Sequence, residues 1–227
     1  MKKGFILIVF TLFFTCSTAK KNKEIDSGSN YILFDYINLL DGKNYYSLLD
    51  SIKNGKSEDF FTLRMAYTKT KIYDPYDNKI DGLRKQIEFN IEEKNFNKAL
   101  KIAKEILGKR YIDIRTHLYC SNIYSQIGDS VKSNYHNGIY NGLLNSIYFS
   151  GDGKSPKTAF IVIEISEEYD LLNWLNLTQS EQYLTIKDGY SFDIIKAFNE
   201  NRETELFFNI VLALKRFSEE MNLHKYD

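Results

Sequence analysis

The chain has 227 residues, of which 43% are hydrophobic and 15% aromatic, so it can bury one sizeable core or two small ones. That apolar content excludes an intrinsically disordered chain. Lysine plus arginine and aspartate plus glutamate each total 30, which leaves no basic excess for nucleic acid and no acidic excess for a solvating tail. We therefore expect a folded protein with no nucleic-acid partner.

The N-terminus has the pattern of a secretory signal peptide. Lys2 and Lys3 precede an apolar run, 5–14, which is too short to span a bilayer as a stable helix. Two endings stay open: cleavage after Ala19, or lipidation at Cys16, although the residues before this cysteine are bulkier than a good lipobox carries. We expect an exported protein of the periplasm or cell envelope, which would contact a membrane only through a lipid anchor.

The front of the mature chain has helical spacing of its apolar residues. A polar leader at 20–30 precedes two short predicted helices at 31–40 and 45–52. A firmer helix is predicted at 57–71, because aromatic and apolar residues recur there on one face. Pro75 ends that pattern.

The middle of the chain shows internal periodicity. Four helices are predicted there, at 80–93, 96–107, 112–127 and 130–149. Their turn signals at Asn95 and Asp129 are about 34 residues apart, which is the repeat length of a tetratricopeptide helix pair, and Ala99 stands where two such helices meet closely. Ser133 and Asn137 depart from that pattern. An unrelated antiparallel helix bundle therefore stays open as the alternative.

The spacing of apolar residues changes from a helical to a strand-like pattern at the glycines before Pro156, where a helix cannot continue. Beyond this point four strands are predicted, at 158–166, 182–187, 190–198 and 204–210. Asp188 and Gly189 form a tight-turn signal, so we expect the second and third strands to pair as an antiparallel hairpin. Two helices are predicted in this half, at 170–177 and 211–222.

These patterns predict an α+β protein with an N-terminal tetratricopeptide-like helical array, followed by a small antiparallel β-sheet with a C-terminal helix. The expected organisation is a signal peptide at 1–19, a leader or tether at 20–30, a helical region at 31–150 and a sheet region at 151–227. We expect the sheet region to pack on the helical region as one unit.

One set of polar and aromatic side chains exceeds what packing needs. Most of the set lies on one predicted helix and the loop that follows it, and the rest lies in the turn before Pro156. This candidate cluster comprises Arg64, Tyr67, Lys69, Tyr73, Asp74, Asp152 and Lys154. We expect its two parts to meet across the turn.

Other chemistries have weaker signals. Glu164, Glu167 and Glu168 lie near the end of the first predicted strand, where paired carboxylates suit acid–base work, but a solvated strand end explains them better. The three histidines lack a zinc-binding spacing, and no cofactor is expected. Cys120 has the helical context of a small buried hydrophobe.

Several segments carry a family resemblance. They are RMAYTKT at 64–70, YDPY at 73–76, SGDGKS at 150–155, EEY at 167–169 and LFFNI at 206–210. In these segments the chain resembles the uncharacterised bacterial "domain of unknown function 4919" family. The resemblance covers nearly all of the mature chain and implies an exported protein, but it carries no activity and no catalytic residue.

We therefore expect a non-catalytic protein-interaction or structural protein of the cell envelope, whose helical front binds a protein or peptide partner. Two alternatives stay open. One is an envelope hydrolase that uses the candidate cluster. The other is a binder of a small amphiphile or glycan that uses exposed tyrosine and phenylalanine side chains and Trp174.

Overall fold

A computed structural model describes residue 37 and residues 40–56, 58–200 and 202–223. The predicted signal peptide, the leader and most of the first predicted helix lie outside the described residues. None of the described helices is long and apolar enough to cross a lipid bilayer.

Between residues 40 and 150, the described part of the first half contains six α-helices. They are α1 (Gly42–Lys53), α2 (Phe60–Tyr67), α3 (Asn78–Glu92), α4 (Phe96–Lys109), α5 (Ile114–Gln126) and α6 (Ser130–Tyr148). Five of them begin after an aspartate whose carboxylate accepts a backbone N–H of the first turn, and these aspartates are Asp41, Asp59, Asp77, Asp113 and Asp129. Sequence-local capping therefore sets most of the helix starts.

The predicted helix at 57–71 is shorter than expected. It begins at Phe60, because Asp59 accepts the N–H of Thr62 at 2.9 Å. It ends at Tyr67, after which the hydroxyl of Thr70 donates to the Tyr67 carbonyl at 2.8 Å. Backbone groups that a longer helix would use are thus satisfied by side chains.

The helix pairs α3–α4 and α5–α6 turn in the same way. Lys94 and Gly128, at the predicted spacing of about 34 residues, both have a positive φ, at 57° and 80°. The next N–H bonds back in the same pattern in each turn, from Asn95 to the Asn90 carbonyl at 2.7 Å and from Asp129 to the Tyr124 carbonyl at 2.9 Å. The two predicted helix pairs, with turns about 34 residues apart, are confirmed.

The second half contains the sheet. Its elements are a 3-10 turn (Pro156–Thr158), β1 (Phe160–Ile161), α7 (Ser166–Trp174), β2 (Thr178–Lys187), β3 (Tyr190–Asn199), β4 (Arg202–Asn209) and α8 (Val211–Leu223). The strand order is β1-β4-β3-β2. β2, β3 and β4 are antiparallel neighbours, and β1 runs parallel to β4, so the sheet is mixed rather than purely antiparallel. In the described part of the chain, every strand follows Pro156.

The first predicted strand, 158–166, is wrong beyond Ile161. Val162 still donates its N–H to the Asn209 carbonyl at 3.3 Å, but Ile163 has side-chain partners instead of a strand partner. Its N–H bonds to Glu167 at 2.8 Å, and its carbonyl accepts from the Tyr73 hydroxyl at 2.5 Å. The chain then enters α7.

One hydrophobic core draws on both halves of the chain. It includes Leu63 and Ile147 from the helices and Phe160, Ile195 and Phe208 from the strands. A smaller core lies between α3, α4 and α5, and its buried residues are Ile80, Ile87, Ala99, Ala103, Ile106, Cys120 and Ile123. The buried position of Cys120 agrees with its predicted role as a small hydrophobe, and burial raises the pKa of its thiol to about 12.

Two glycines of α6 should respond oppositely to replacement by alanine. A Cβ at Gly142 would lie 2.2 Å from the Phe60 ring, whereas a Cβ at Gly138 would meet no atom within 4 Å. We expect Gly142→Ala to lower the free energy of unfolding by about 1–3 kcal/mol through overpacking. We expect Gly138→Ala to raise it by about 0.5–1 kcal/mol through helix propensity. Urea denaturation measures both, and two effects of the same sign would contradict this packing.

Candidate functional site

The acidic segment, residues 164–170, lies between the helices and the sheet. Glu164, Glu167, Glu168 and Asp170 are all buried there, Glu168 completely. The prediction of a solvated strand end is therefore wrong. Since the chain turns into α7 instead of continuing β1, these carboxylates point into the protein and require partners.

Arg64 of α2 is the main partner of Glu167, and both side chains are buried. The guanidinium binds both carboxylate oxygens, through Nε at 3.0 Å and through Nη2. Its remaining donors reach the Ser146 hydroxyl at 3.3 Å and the Ile161 carbonyl at 3.1 Å. This bidentate pair ties α2 and α6 to the segment that leaves β1.

Arg84 and Arg110 hold Glu164. Arg110 Nη1 lies 2.6 Å from Glu164 Oε2, and Arg84 Nη2 lies 3.9 Å from Oε1. Arg84 also pairs with the buried Asp113, through Nε at 3.3 Å. Burial would raise the pKa of Asp113, but the charge of Arg84 and hydrogen bonds hold it below the usual value. Burial outweighs both arginines at Glu164 and raises its pKa to about 7.

Arg115 binds the last acid of the segment. Its Nε lies 2.5 Å from Asp170 Oδ1, and burial raises the pKa of Asp170 to about 6 although Arg115 opposes the shift. Arg84 is on α3 and Arg115 is on α5, so each belongs to the first helix of one repeat pair. Through these two arginines, the acidic segment packs against the first helix of each pair.

Glu168 and Asp193 form a second buried acidic site, on the sheet side of α7. The amide nitrogen of Gln182 lies 3.3 Å from Glu168 Oε2 and 2.9 Å from Asp193 Oδ2. The Tyr169 hydroxyl donates to Gln182 Oε1 at 2.6 Å. Burial, helped by the charge of Asp193, raises the pKa of Glu168 to about 9. Glu168 is therefore protonated at neutral pH.

A histidine pair joins α5 to α6. His117 Nε2 lies 2.7 Å from the Tyr111 carbonyl, which can only accept, so this nitrogen carries the proton. His117 Nδ1 then accepts from Nδ1 of His136 at 2.9 Å. Burial lowers the pKa of both histidines to about 4, so both are neutral at pH 7. The described residues contain no group of three or more histidine, cysteine or acidic side chains placed to hold a metal.

Two members of the first part of the predicted candidate cluster contact the segment after β1 directly: Arg64 through Glu167, and Tyr73 through the Ile163 carbonyl. Arg64, Tyr67 and Tyr73 are buried, and Lys69 and Asp74 are partly exposed. The Asp74 backbone carbonyl accepts from Arg110. Burial raises the pKa of Tyr67 to about 12, and its hydroxyl donates to the Ile72 carbonyl at 3.1 Å. These contacts fix the loop after α2.

The second part of the cluster stays in its own turn. Asp152 Oδ1 accepts the Lys154 N–H at 3.0 Å, and Lys154 Nζ lies 3.9 Å from Asp152 Oδ2. The Asp152 N–H donates to the Thr158 carbonyl at 3.0 Å. Both side chains are exposed, and their bonds lie within 152–158. The structure therefore does not bring Asp152 and Lys154 into contact with the first part of the cluster.

Exposed aromatic side chains lie at the end of α6. Tyr148 and Phe149 are exposed, and the Tyr148 ring meets the ring of Trp174 at 5.7 Å between centroids. Trp174 is half-buried and donates its indole N–H to Asn141 Oδ1 at 3.3 Å. This is the aromatic surface on which the amphiphile or glycan hypothesis depends.

The two edges of the sheet differ. On the outer side of β4, Phe208 and Asn209 pair with β1, and Phe207 donates its N–H to the Gly153 carbonyl at 2.8 Å. At the opposite edge, β2 has no further strand beside it in the part of the chain that the structure describes. We call the outer side of β2 the free edge.

Backbone geometry identifies the groups on the free edge. Lys187 and Tyr190 flank a two-residue turn, so they form a hydrogen-bonded pair, and alternate residues of β2 then bond to β3. Gln182, Leu184 and Ile186 are the residues in between, so their N–H and C=O groups point away from the sheet.

The free edge also carries apolar side chains. Leu184 is 57% exposed and Ile186 is 69% exposed, and both lie on the face of Gln182. Proteins usually protect long edge strands with charges, proline or bulges. β2 has a register shift near Gln179, but its last seven residues, from Glu181 onward, pair regularly with β3. An edge of this kind is a template for another strand.

The comparison with protein families identifies the chain. A sequence model of the family described as "Domain of unknown function (DUF4919)" matches residues 26–219. The chain belongs to this family. No curated protein and no solved structure matches it. Membership of DUF4919 confirms the resemblance found in the sequence, and it brings no substrate, cofactor or partner with it.

Proposed function

We propose that this DUF4919 protein is a non-catalytic interaction protein of the bacterial cell envelope, and that it binds a protein partner by strand addition at the free edge. The observation that carries the proposal is the edge itself: β2 is ten residues long, and Leu184 and Ile186 are exposed beside outward-pointing backbone groups. In strand addition, the main chain supplies affinity and the alternate side chains supply specificity.

The arginine–carboxylate contacts between the helical half and the sheet half support a non-catalytic role. Arg64, Arg84, Arg110 and Arg115 are each bound to carboxylates of the same chain, and this pairing ties the two halves together. The protonated Glu168 is completely buried, so a substrate has no direct access to its carboxyl group. Chemistry at this site would first require the α7–β2 contact to open.

The proposed localisation to the cell envelope depends on the N-terminal sequence. Lys2, Lys3 and the apolar run after them favour export, followed either by cleavage after Ala19 or by lipidation at Cys16. Mass spectrometry of the N-terminal peptide from a cell-envelope fraction distinguishes the two endings. Recovery of the intact N-terminus from the cytosol would contradict export.

Site-specific photo-crosslinking in the producing cells tests the interaction. A photo-reactive residue at Leu184 should give a crosslinked protein product, whereas one at Val131 of α6 should give none. Val131 is the matched control because it is 78% exposed and lies in the helical half, outside the sheet. Equal labelling at both positions, or none at Leu184, would contradict binding at the free edge.

A pair of proline variants separates binding from folding. Leu184→Pro removes an outward N–H, so it should block an added strand and leave the bonds to β3 intact. Thr185→Pro removes an N–H that bonds to β3, so it should lower the melting temperature. With the photo-reactive residue at Ile186, we expect crosslinking to be lost in Leu184→Pro while the melting temperature stays near that of the wild type. Crosslinking that survives Leu184→Pro would contradict strand addition.

A further inference from the structure

We infer that the partner at the free edge is a second copy of this chain, paired through β2 of each copy in an antiparallel register centred on Leu184. This inference rests on the proposed function, since it names the strand that adds to that edge. Three features of β2 lead to it: the direction of its free backbone groups, the order of its charges and the position of its apolar side chains.

The backbone fits this register. With Leu184 opposite Leu184 of the second copy, Gln182 lies opposite Ile186 of the second copy and Ile186 lies opposite its Gln182. All of these residues have outward N–H and C=O groups, so the facing pairs are hydrogen-bonded pairs. The two strands would form about six backbone hydrogen bonds, and the four-stranded sheet would continue into its copy.

The charges of β2 are self-complementary in the same register. Glu181 and Lys187 lie at equal distances along the strand on either side of Leu184. An antiparallel twofold pairing therefore places each glutamate opposite the lysine of the other copy. Glu181 also binds Lys196 of its own β3 at 2.7 Å, so in the paired strands its carboxylate would lie between this lysine and Lys187 of the second copy. Opposite charges facing each other stabilise a strand pair, and like charges destabilise it.

The apolar side chains of β2 meet on one face. Leu184 of one copy lies beside Leu184 of the other, and Ile186 of each copy lies diagonally next to this pair, within reach of it. Both side chains are exposed in the single chain, so the pairing removes apolar surface from water. This accounts for apolar residues on an otherwise polar edge strand, whose sequence is TQSEQYLTIK.

Charge-reversal variants of the purified mature protein test the register. Lys187→Glu places glutamate opposite glutamate at both ends of the pair, and Glu181→Lys places lysine opposite lysine. We expect either variant alone to weaken dimerisation by about tenfold or more in sedimentation equilibrium. An equimolar mixture of the two should regain the wild-type affinity, because the mixed dimer restores both opposite-charge pairs. A change in folding would not be repaired by mixing.

A cysteine scan tests the centre of symmetry. Leu184→Cys should form a disulfide-linked dimer under mild oxidation, because two copies of residue 184 face each other. Ile186→Cys should form little, since residue 186 faces residue 182 of the other copy. The native Cys120 is buried, so it does not interfere. Efficient crosslinking of Ile186→Cys, or a dimer that Lys187→Glu leaves intact, would overturn this register.

The remaining outcomes separate this inference from the proposed function. A monomer whose residue 184 photo-crosslinks to a different protein overturns self-pairing and leaves strand addition standing. A monomer whose crosslink falls within its own residues 1–36 overturns both, because the chain itself then occupies the edge. A monomer without any crosslink also overturns both.

Discussion

Replacing Arg64 by alanine is expected to lower the free energy of unfolding by about 3–5 kcal/mol, because it leaves the buried Glu167 carboxylate without its charge partner. The loss is large because the guanidinium also donates to the Ser146 hydroxyl and the Ile161 carbonyl, and these acceptors lie away from bulk water. Urea denaturation at pH 7 measures the change. A loss of this size should also reduce the yield of folded protein.

The matched control is an exposed ion pair of the same chain. Lys109 and Glu105 pair at 3.0 Å on the surface of α4, with side chains that are 64% and 52% exposed. Lys109→Ala should cost about 0–0.5 kcal/mol, because water replaces the partner. If Arg64→Ala cost no more than this control, the Arg64–Glu167 pair would not tie the helices to the sheet.

Replacing Glu168 by glutamine is expected to make the protein progressively more stable than the wild type as pH rises from 5 to 8. The pKa of Glu168 is about 9 in the folded protein, because of burial and the charge of Asp193, whereas an unfolded chain has a glutamate pKa of about 4.3. Between these values the folded state holds a proton that the unfolded state has lost. Stability of the wild type therefore falls with pH in this window, by about 1.4 kcal/mol per unit for one proton.

Glutamine keeps the shape of the side chain and has no proton to lose, so the difference in unfolding free energy between variant and wild type should widen steadily between pH 5 and 8 and vanish below about pH 4. Urea denaturation at several pH values measures it. Glu105→Gln serves as control, since this carboxylate of α4 is 52% exposed. Parallel pH curves for wild type and Glu168→Gln would show that Glu168 is ionised in the folded protein.

The elements that local sequence controls were predicted well. The Asp188-Gly189 turn joins β2 to β3 with both residues at positive φ, as the tight-turn signal indicated. The turn residues at 95 and 129 likewise identified the repeat, because each helix pair is closed by bonds within a few residues. Such interactions depend on neighbouring residues alone, so sequence spacing reveals them.

The burial of the acidic segment could not be predicted from neighbouring residues. Its sequence, EISEEYD, follows a β-branched run and so resembled a strand with a solvated end. Its glutamates are also spaced by three and four residues, which is a helical pattern, and this was the available signal for α7. No local feature distinguishes a solvated carboxylate from one that meets an arginine elsewhere in the chain.

By itself, the sequence determined the family, the α+β class, the helical repeat and the hairpin, because capping, turn chemistry and periodicity act over a few residues. Only the tertiary structure decided that the acids of 164–170 are buried and that one edge of the sheet is free. The reason is the separation of the partners: Arg64 and Glu167 are 103 positions apart, and Arg110 and Glu164 are 54 apart. Contacts across such distances exist only once the chain has folded.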